Sequence, residues 1–278
     1  MKLVWKIVAI AAVVLLVLGL ALIVVSLLTG GSLESIRNNV AFTNYEESFA
    51  DATPHTLQLS VGAGKLYVLP GDELRVEAKN IQEKGFVCRM EQGVLMVQEG
   101  WSASWSDNLS RWLNLRREEP EIYVYLPENF SVQFADIDVA AGSCRVEGLT
   151  ASAARLDVSA GSLEVWGLTA GQTELEISAG SVYIDGLNTQ TLDLDISAGS
   201  ASVTGSVALD CTADVSAGSA DLLLDGAADA FTAEIDAGAG SITYGGRRYS
   251  MQDAYVGQGP GVMELDCSAG SISVRFTD

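Results

Sequence analysis

Glu174, Glu176, Asp193 and Asp195 fall at alternate positions of two segments, TELEIS and LDLDIS, that echo each other 19 residues apart. If the segments are neighbouring strands, four carboxylates converge on one face with no basic residue in either strand. Calcium takes six to eight oxygen ligands and fits such a quartet. The plainer expectation is a solvated acidic face that hinders lateral aggregation. The quartet belongs to a longer series, Asp138, Asp157, Glu176, Asp195 and Asp214, each four residues before a glycine. Like charges one strand apart repel by roughly 0.9 kcal/mol even at the dielectric of water. The series therefore calls for an offset, which Arg155 offers. Paired carboxylates also serve glycoside hydrolysis, but any acidic ladder sets carboxylates at strand spacing, so no catalytic pair is singled out.

Other reactive side chains are few. The single histidine, His55, precedes the first repeat and reads as a surface residue. The four cysteines, Cys88, Cys144, Cys211 and Cys267, show neither a CxxC nor a zinc pattern. Cys144 stands where later repeats have Leu163 and Val182, and Cys267 where they have Val158 and Ile177, so these thiols are expected to be buried and unpaired. No nucleophile elbow, phosphate loop or dinucleotide fingerprint is present. The balance of 16 basic and 36 acidic residues gives a formal charge of -20, which repels phosphate backbones, and no nucleic-acid partner is expected.

What must position these groups is a repeat. Gly142, Gly161, Gly180, Gly199 and Gly218 recur every 19 residues, each within Ala-Gly-Ser. Around them apolar residues alternate, as in Leu156 and Val158 before Gly161 and Leu163 and Val165 after it, which is the pattern of half-buried strands. The alternation slips by one residue across Ala-Gly-Ser, so the chain must turn a corner there. A second glycine six residues on, at 148, 167, 186 and 205, marks a further turn. One repeat thus reads as strand, corner, strand and loop, and copies stack with parallel strands ~4.8 Å apart. The expected fold is all-β, a parallel β-solenoid of ~19-residue rungs in which no single rung buries its own core. The rungs begin at Leu57 in degenerate form, and the last, VMELDCSAGSISVRF, is expected to close the stack.

Lys2 and Lys6 precede Ile7–Leu28, an uncharged run of 22 residues that would extend ~33 Å as a helix and cross a bilayer. Acidic residues follow it, so the amino end is expected in the cytoplasm and the large domain outside. The organisation is then a cytoplasmic stub and transmembrane anchor over 1–29, a juxtamembrane linker and cap over 30–56, and a solenoid over 57–278. Residues 99–120 break the repeat with a tryptophan-rich insertion. Trp101, Trp105 and Trp112 fall at helical spacing with Arg111 and Arg116 nearby. Such a stripe packs on the solenoid flank or forms a face toward membrane or partner.

Four segments carry a resemblance: LQLSVGAGKLYVLPGDELRVEA, EIYVYLPENFSVQFADIDVAAGSCRVEGL, the SAGS series, and the closing DCSAGSISVRF. From Leu57 to Asp278 the chain resembles the bacterial putative-adhesin family of β-strand-repeat proteins. The resemblance implies a β-solenoid displayed at the cell envelope, often behind one membrane helix, and it transfers no catalytic residue. The tryptophan-rich insertion departs from it. The expected function is that of a non-enzymatic, membrane-anchored interaction or structural module, with an envelope protein or polysaccharide as partner. A sensing or regulatory component of an envelope stress response is the alternative, and a polysaccharide-active β-helix enzyme the third reading.

Overall fold

The computed structural model describes residues 42–50, 52–100 and 119–278. The proposed span Ile7–Leu28 and the insertion residues Trp101, Trp105, Arg111, Trp112 and Arg116 lie outside these. Among the described residues no helix is long and apolar enough to cross a membrane.

Eight strands lead in: β1 (Phe42–Ser48), β2 (Thr56–Val61), β3 (Lys65–Gly71), β4 (Arg75–Gln82), β5 (Phe86–Glu91), β6 (Val94–Glu99), β7 (Glu121–Pro127) and β8 (Val132–Val139). Four long ones follow: β9 (Ser143–Val158), β10 (Ser162–Ile177), β11 (Ser181–Ile196) and β12 (Ser200–Val215). The remainder are β13 (Ser219–Leu224), β14 (Phe231–Ala237), β15 (Ser241–Tyr244), β16 (Arg247–Tyr249), β17 (Gln252–Val256), β18 (Gly261–Cys267) and β19 (Ser271–Phe276). All 19 belong to one hydrogen-bonded sheet system.

The 19-residue spacing is the register. Ser162 pairs with Ser143 and Ser181, and Ile177 with Val158 and Ile196, along unbroken parallel ladders. Like therefore sits on like. The column Val97, Leu59, Ile137, Leu156, Leu175, Leu194, Ala213, Leu265 and Ile235 runs through nine consecutive strands, every member buried. A fully buried leucine or isoleucine contributes about 1.5–3 kcal/mol, and no rung could bury its own without the next.

Each long rung has three sides, not two strands and a loop. Inward residues of β9 are Cys144 and Val146, then Leu149 and Ala151, then Ala154, Leu156 and Val158. The side-chain phase slips after Val146 and again after Ala151. At the first slip Gly148, Gly167 and Gly186 take positive φ of 67°, 79° and 78°, a backbone state costly for any residue with a Cβ. The segment after each glycine looked like a loop because its buried pair is short, yet Leu149, Leu168 and Leu187 form a third ladder. In β12 the turn shifts by one, and Leu187 pairs with Gly205.

The order of rungs also differs from the order of sequence at both ends. The rung β2–β3 is not terminal, since β6 and β7 stack outside it in parallel. Antiparallel β5, β4 and β1 then close that end. At the other end β18 and β19 do not close the stack but slide between β12–β13 and β14–β15. There antiparallel β17 and β16 lie outermost. Each end thus folds back on itself, and the parallel edges are covered by reversed strands.

Candidate interaction surfaces

Two flat outer faces meet at the Ala-Gly-Ser corner. The face before the corner carries the acidic ladder, and it is longer than the sequence reading made it. Asp138, Asp157, Glu176, Asp195, Asp214, Asp266, Asp236 and Asp253 are paired neighbours on eight successive strands. The missed members were within reach of the same rule, since Asp236 and Asp266 stand four residues before Gly240 and Gly270. Burial first, then the neighbouring carboxylates Asp138 and Glu176, holds the Asp157 carboxyl above its usual range. Asp253 beside Asp236, together with desolvation, does the same there.

The quartet is assembled as expected, with Glu174 opposite Asp193 and Glu176 opposite Asp195. Its inner half is already engaged. Arg155, on β9, ion-pairs with Glu174 at 3.7 Å and donates to Glu176 Oε1 at 3.0 Å. Among the described residues no three His, Cys, Asp or Glu side chains come together in a metal-holding group. Farther along, Asp214, Glu234, Asp236, Glu264 and Asp266 line an open depression of about 340 Å³.

The face after the corner is aromatic. Tyr67 and Tyr123 stack at 4.9 Å between ring centroids, with the Lys79 ammonium 4.9 Å over Tyr123. Arg75 lies over Tyr125 at 4.6 Å and bonds Glu46 and Glu77. Two strands along, Trp166 and Tyr183 meet at 5.4 Å and 56°, both exposed, with Arg145 over the indole at 5.8 Å. Trp166 and Tyr183 escaped the sequence reading because each sits singly in an otherwise ordinary strand. Only the register makes them neighbours.

The cysteines lie where the repeat placed them, Cys144 opposite Leu163 and Cys267 opposite Val215, and all four are free. His55 is a surface residue that helps to hold a turn, since its Nε2 lies 3.1 Å from the carbonyl of Gln92 between β5 and β6. The corner that carries the insertion is built by a side chain that stands outside the repeat. At Gly161 and the next three corners the alanine amide, from Ala160 to Ala217, bonds a carbonyl of the corner before it. At Ala63 the Glu99 carboxylate takes that place, with Oε2 3.2 Å from the amide; the Gly62 amide, also 3.2 Å from Oε2, keeps a backbone acceptor in the Glu99 carbonyl at 2.6 Å.

Residues 67–247 match a family model described as Toastrack DUF4097. No curated protein matches the sequence. Among solved structures, a protein described as a putative cell adhesion protein from Clostridium sporogenes is 14% identical over 85% of this chain and 100% of that one, with a TM-score of 0.37. A putative adhesin from Bacteroides fragilis is 12% identical over 84% and 98%, with a TM-score of 0.44. A putative lipid binding protein from Parabacteroides distasonis is 11% identical over 84% and 96%, with a TM-score of 0.46.

Proposed function

The chain belongs to the Toastrack DUF4097 family, and from that premise we propose that it is a non-enzymatic interaction module of the cell envelope. In this reading a β-solenoid held outside the membrane by Ile7–Leu28 presents its ladder faces to an envelope polymer or protein. The observation that carries the proposal is the unbroken register of the two outer faces. On the acidic face carboxylates repeat at strand spacing across eight strands, which makes a long periodic surface. Its depressions are open and shallow, and the carboxylates in them are ladder neighbours, a geometry suited to contact over area.

Phe42 begins β1, the outermost strand at one end of the stack. Glu99 and Pro120, the end residues of the tryptophan-rich insertion, accept from the amides of Gly62 and Lys65 at the corner of that same end. In this reading Trp101, Trp105, Trp112, Arg111 and Arg116 serve as a face toward membrane or partner, since aromatic and basic side chains partition well at a bilayer interface. The test is fractionation and binding. The full chain is expected in the membrane fraction, its ladder domain open to protease added from outside, and to retain envelope material on a column. A soluble chain, or one protected from external protease, would remove the proposal.

A further inference from the structure

Resting on that interaction-module reading and naming its partner class, we propose that the outer face of β9–β11 binds a polysaccharide carrying free amino groups, a glucosamine-type polymer. Six outward side chains form a grid of two columns and three strands there. Arg145 and Glu147 come from β9, Glu164 and Trp166 from β10, and Tyr183 and Asp185 from β11. The rings occupy one diagonal of the β10–β11 square and the carboxylates the other.

Each part of the grid has a matching part on such a polymer. Trp166 and Tyr183 are 39% and 38% exposed and their planes are tilted by 56°, so a pyranose can lay its C–H face on one of them. The grid's cation is spent within it: Arg145 Nε donates to Glu147 at 2.8 Å and its guanidinium lies over Trp166. Glu164 and Asp185 have no ion pair among the described residues. Two uncompensated carboxylates beside two rings favour an ammonium group attached to an apolar ring over a neutral or acidic sugar. The chain's formal charge of -20 repels acidic glycans before contact. The shape matters too: a protein partner gains most from side chains driven into pockets, whereas the grid offers two half-exposed rings side by side, on which a sugar ring can lie.

The experiment uses the full chain and three probes: a β-1,4-linked glucosamine hexamer, its fully N-acetylated counterpart, and poly-L-lysine of similar charge. The hexamer is expected to bind by calorimetry, and the N-acetylated form to bind about tenfold more weakly or not at all. Trp166→Ala, Tyr183→Ala and the pair Glu164→Gln with Asp185→Asn should each weaken hexamer binding about tenfold, while Trp166→Tyr retains most of it. Asn188→Ala, exposed on the third side of β11 and outside both ladder faces, should change nothing. Three results would overturn the proposal: equal binding of the N-acetylated hexamer, poly-L-lysine binding as tight as the hexamer's and insensitive to Trp166→Ala, or no hexamer binding. If the chain still retained envelope material while ignoring the hexamer, this inference would fall and the broader reading would stand.

Discussion

Arg155 lies across the ladder from Glu176, donating from its guanidinium at 3.0 Å to a carboxylate one rung along. No other basic residue stands among the outward residues of the acidic ladder from Asp138 to Asp253. Arg155→Gln is therefore expected to lower the melting temperature at neutral pH and low salt. The loss should shrink in 1 M salt, where exposed charges are screened within about 3 Å. Thermal denaturation at the two salt concentrations checks this, and a deficit that salt leaves unchanged would mean that Arg155 acts through packing.

The ladder also sets the direction of the pH response. Asp138, Asp157, Glu174 and Asp236 all have carboxyl pKa values raised above the ordinary ones, the first three mainly by burial and Asp236 mainly by Asp253. A raised folded value means that the folded chain holds protons more tightly than the unfolded chain, so stability falls as pH rises through that window. Acidification from neutral pH should therefore stabilise the protein, and the gain should be complete once pH falls below the unfolded values near 3.8 and 4.5. Melting curves from pH 7.5 down to 4.5 test this. A melting temperature that drops steadily over that range contradicts it.

Three glycine substitutions separate three physical roles. A Cβ at Gly180 would lie 2.5 Å from Val158 Cγ1 and 2.6 Å from the carbonyl of Gly161, so Gly180→Ala must force rungs apart, at about 1–3 kcal/mol. Gly148 has open space but φ of 67°, and Gly148→Ala should cost about 1–2 kcal/mol from backbone strain alone. At Gly238 φ is not of that kind and a Cβ would come no closer than 3.3 Å to its neighbours, so Gly238→Ala should cost least, about 0.5 kcal/mol. Denaturant midpoints rank the three. If Gly180→Ala proved as mild as Gly238→Ala, the close approach at the corners would be wrong.

Those glycines also show how much could be read in advance. The spacing of Gly142 through Gly218 fixes the register, and with it the inward place of Cys144, Cys267, Val158 and Ile177, because a parallel ladder only requires that equal positions meet. The stacking order at the ends is a different kind of information. Leu59 and Val97 become neighbours, as do Ala213 and Leu265, through matching of whole edges, and nothing in either local pattern says which rung will receive which. The third side of the rung was hidden because Leu149 and Ala151 make too short an alternation to stand out from a loop. The Trp166 and Tyr183 pair was hidden because its two members, 17 positions apart, share no motif. The anchor and the tryptophan-rich insertion lie outside the described residues.

Glu99 gives a test of the corner that carries the insertion. Its Oε2 accepts from the amides of Gly62 and Ala63, and it is 3% exposed. Glu99→Ala leaves the Ala63 amide without that acceptor at a partly buried corner, a loss of about 1–3 kcal/mol. Glu99→Gln retains an acceptor oxygen without its charge and should recover part of this, since a charged acceptor bonds about twice as strongly as a neutral one. Hydrogen exchange localises the effect: the Ala63 amide should exchange faster in Glu99→Ala while Ala160, whose acceptor is a backbone carbonyl, stays unchanged.

The cysteines test the register chemically. Cys144 and Cys211 lie on β9 and β12, three rungs apart, or ~14 Å at strand spacing, well beyond the ~7 Å that a disulfide spans. Burial pushes the Cys211 thiol up to about 12 and Cys88 up to about 11, and raises Cys144 as well. A thiol of that kind is almost entirely protonated at neutral pH and reacts slowly. The folded chain, purified without reductant, should therefore give almost no colour with a thiol reagent at pH 7.5, and four equivalents once denatured. Two equivalents in denaturant would reveal a disulfide, which the stacked register of Cys144 with Leu163 and of Cys211 with Leu192 does not allow without unstacking rungs.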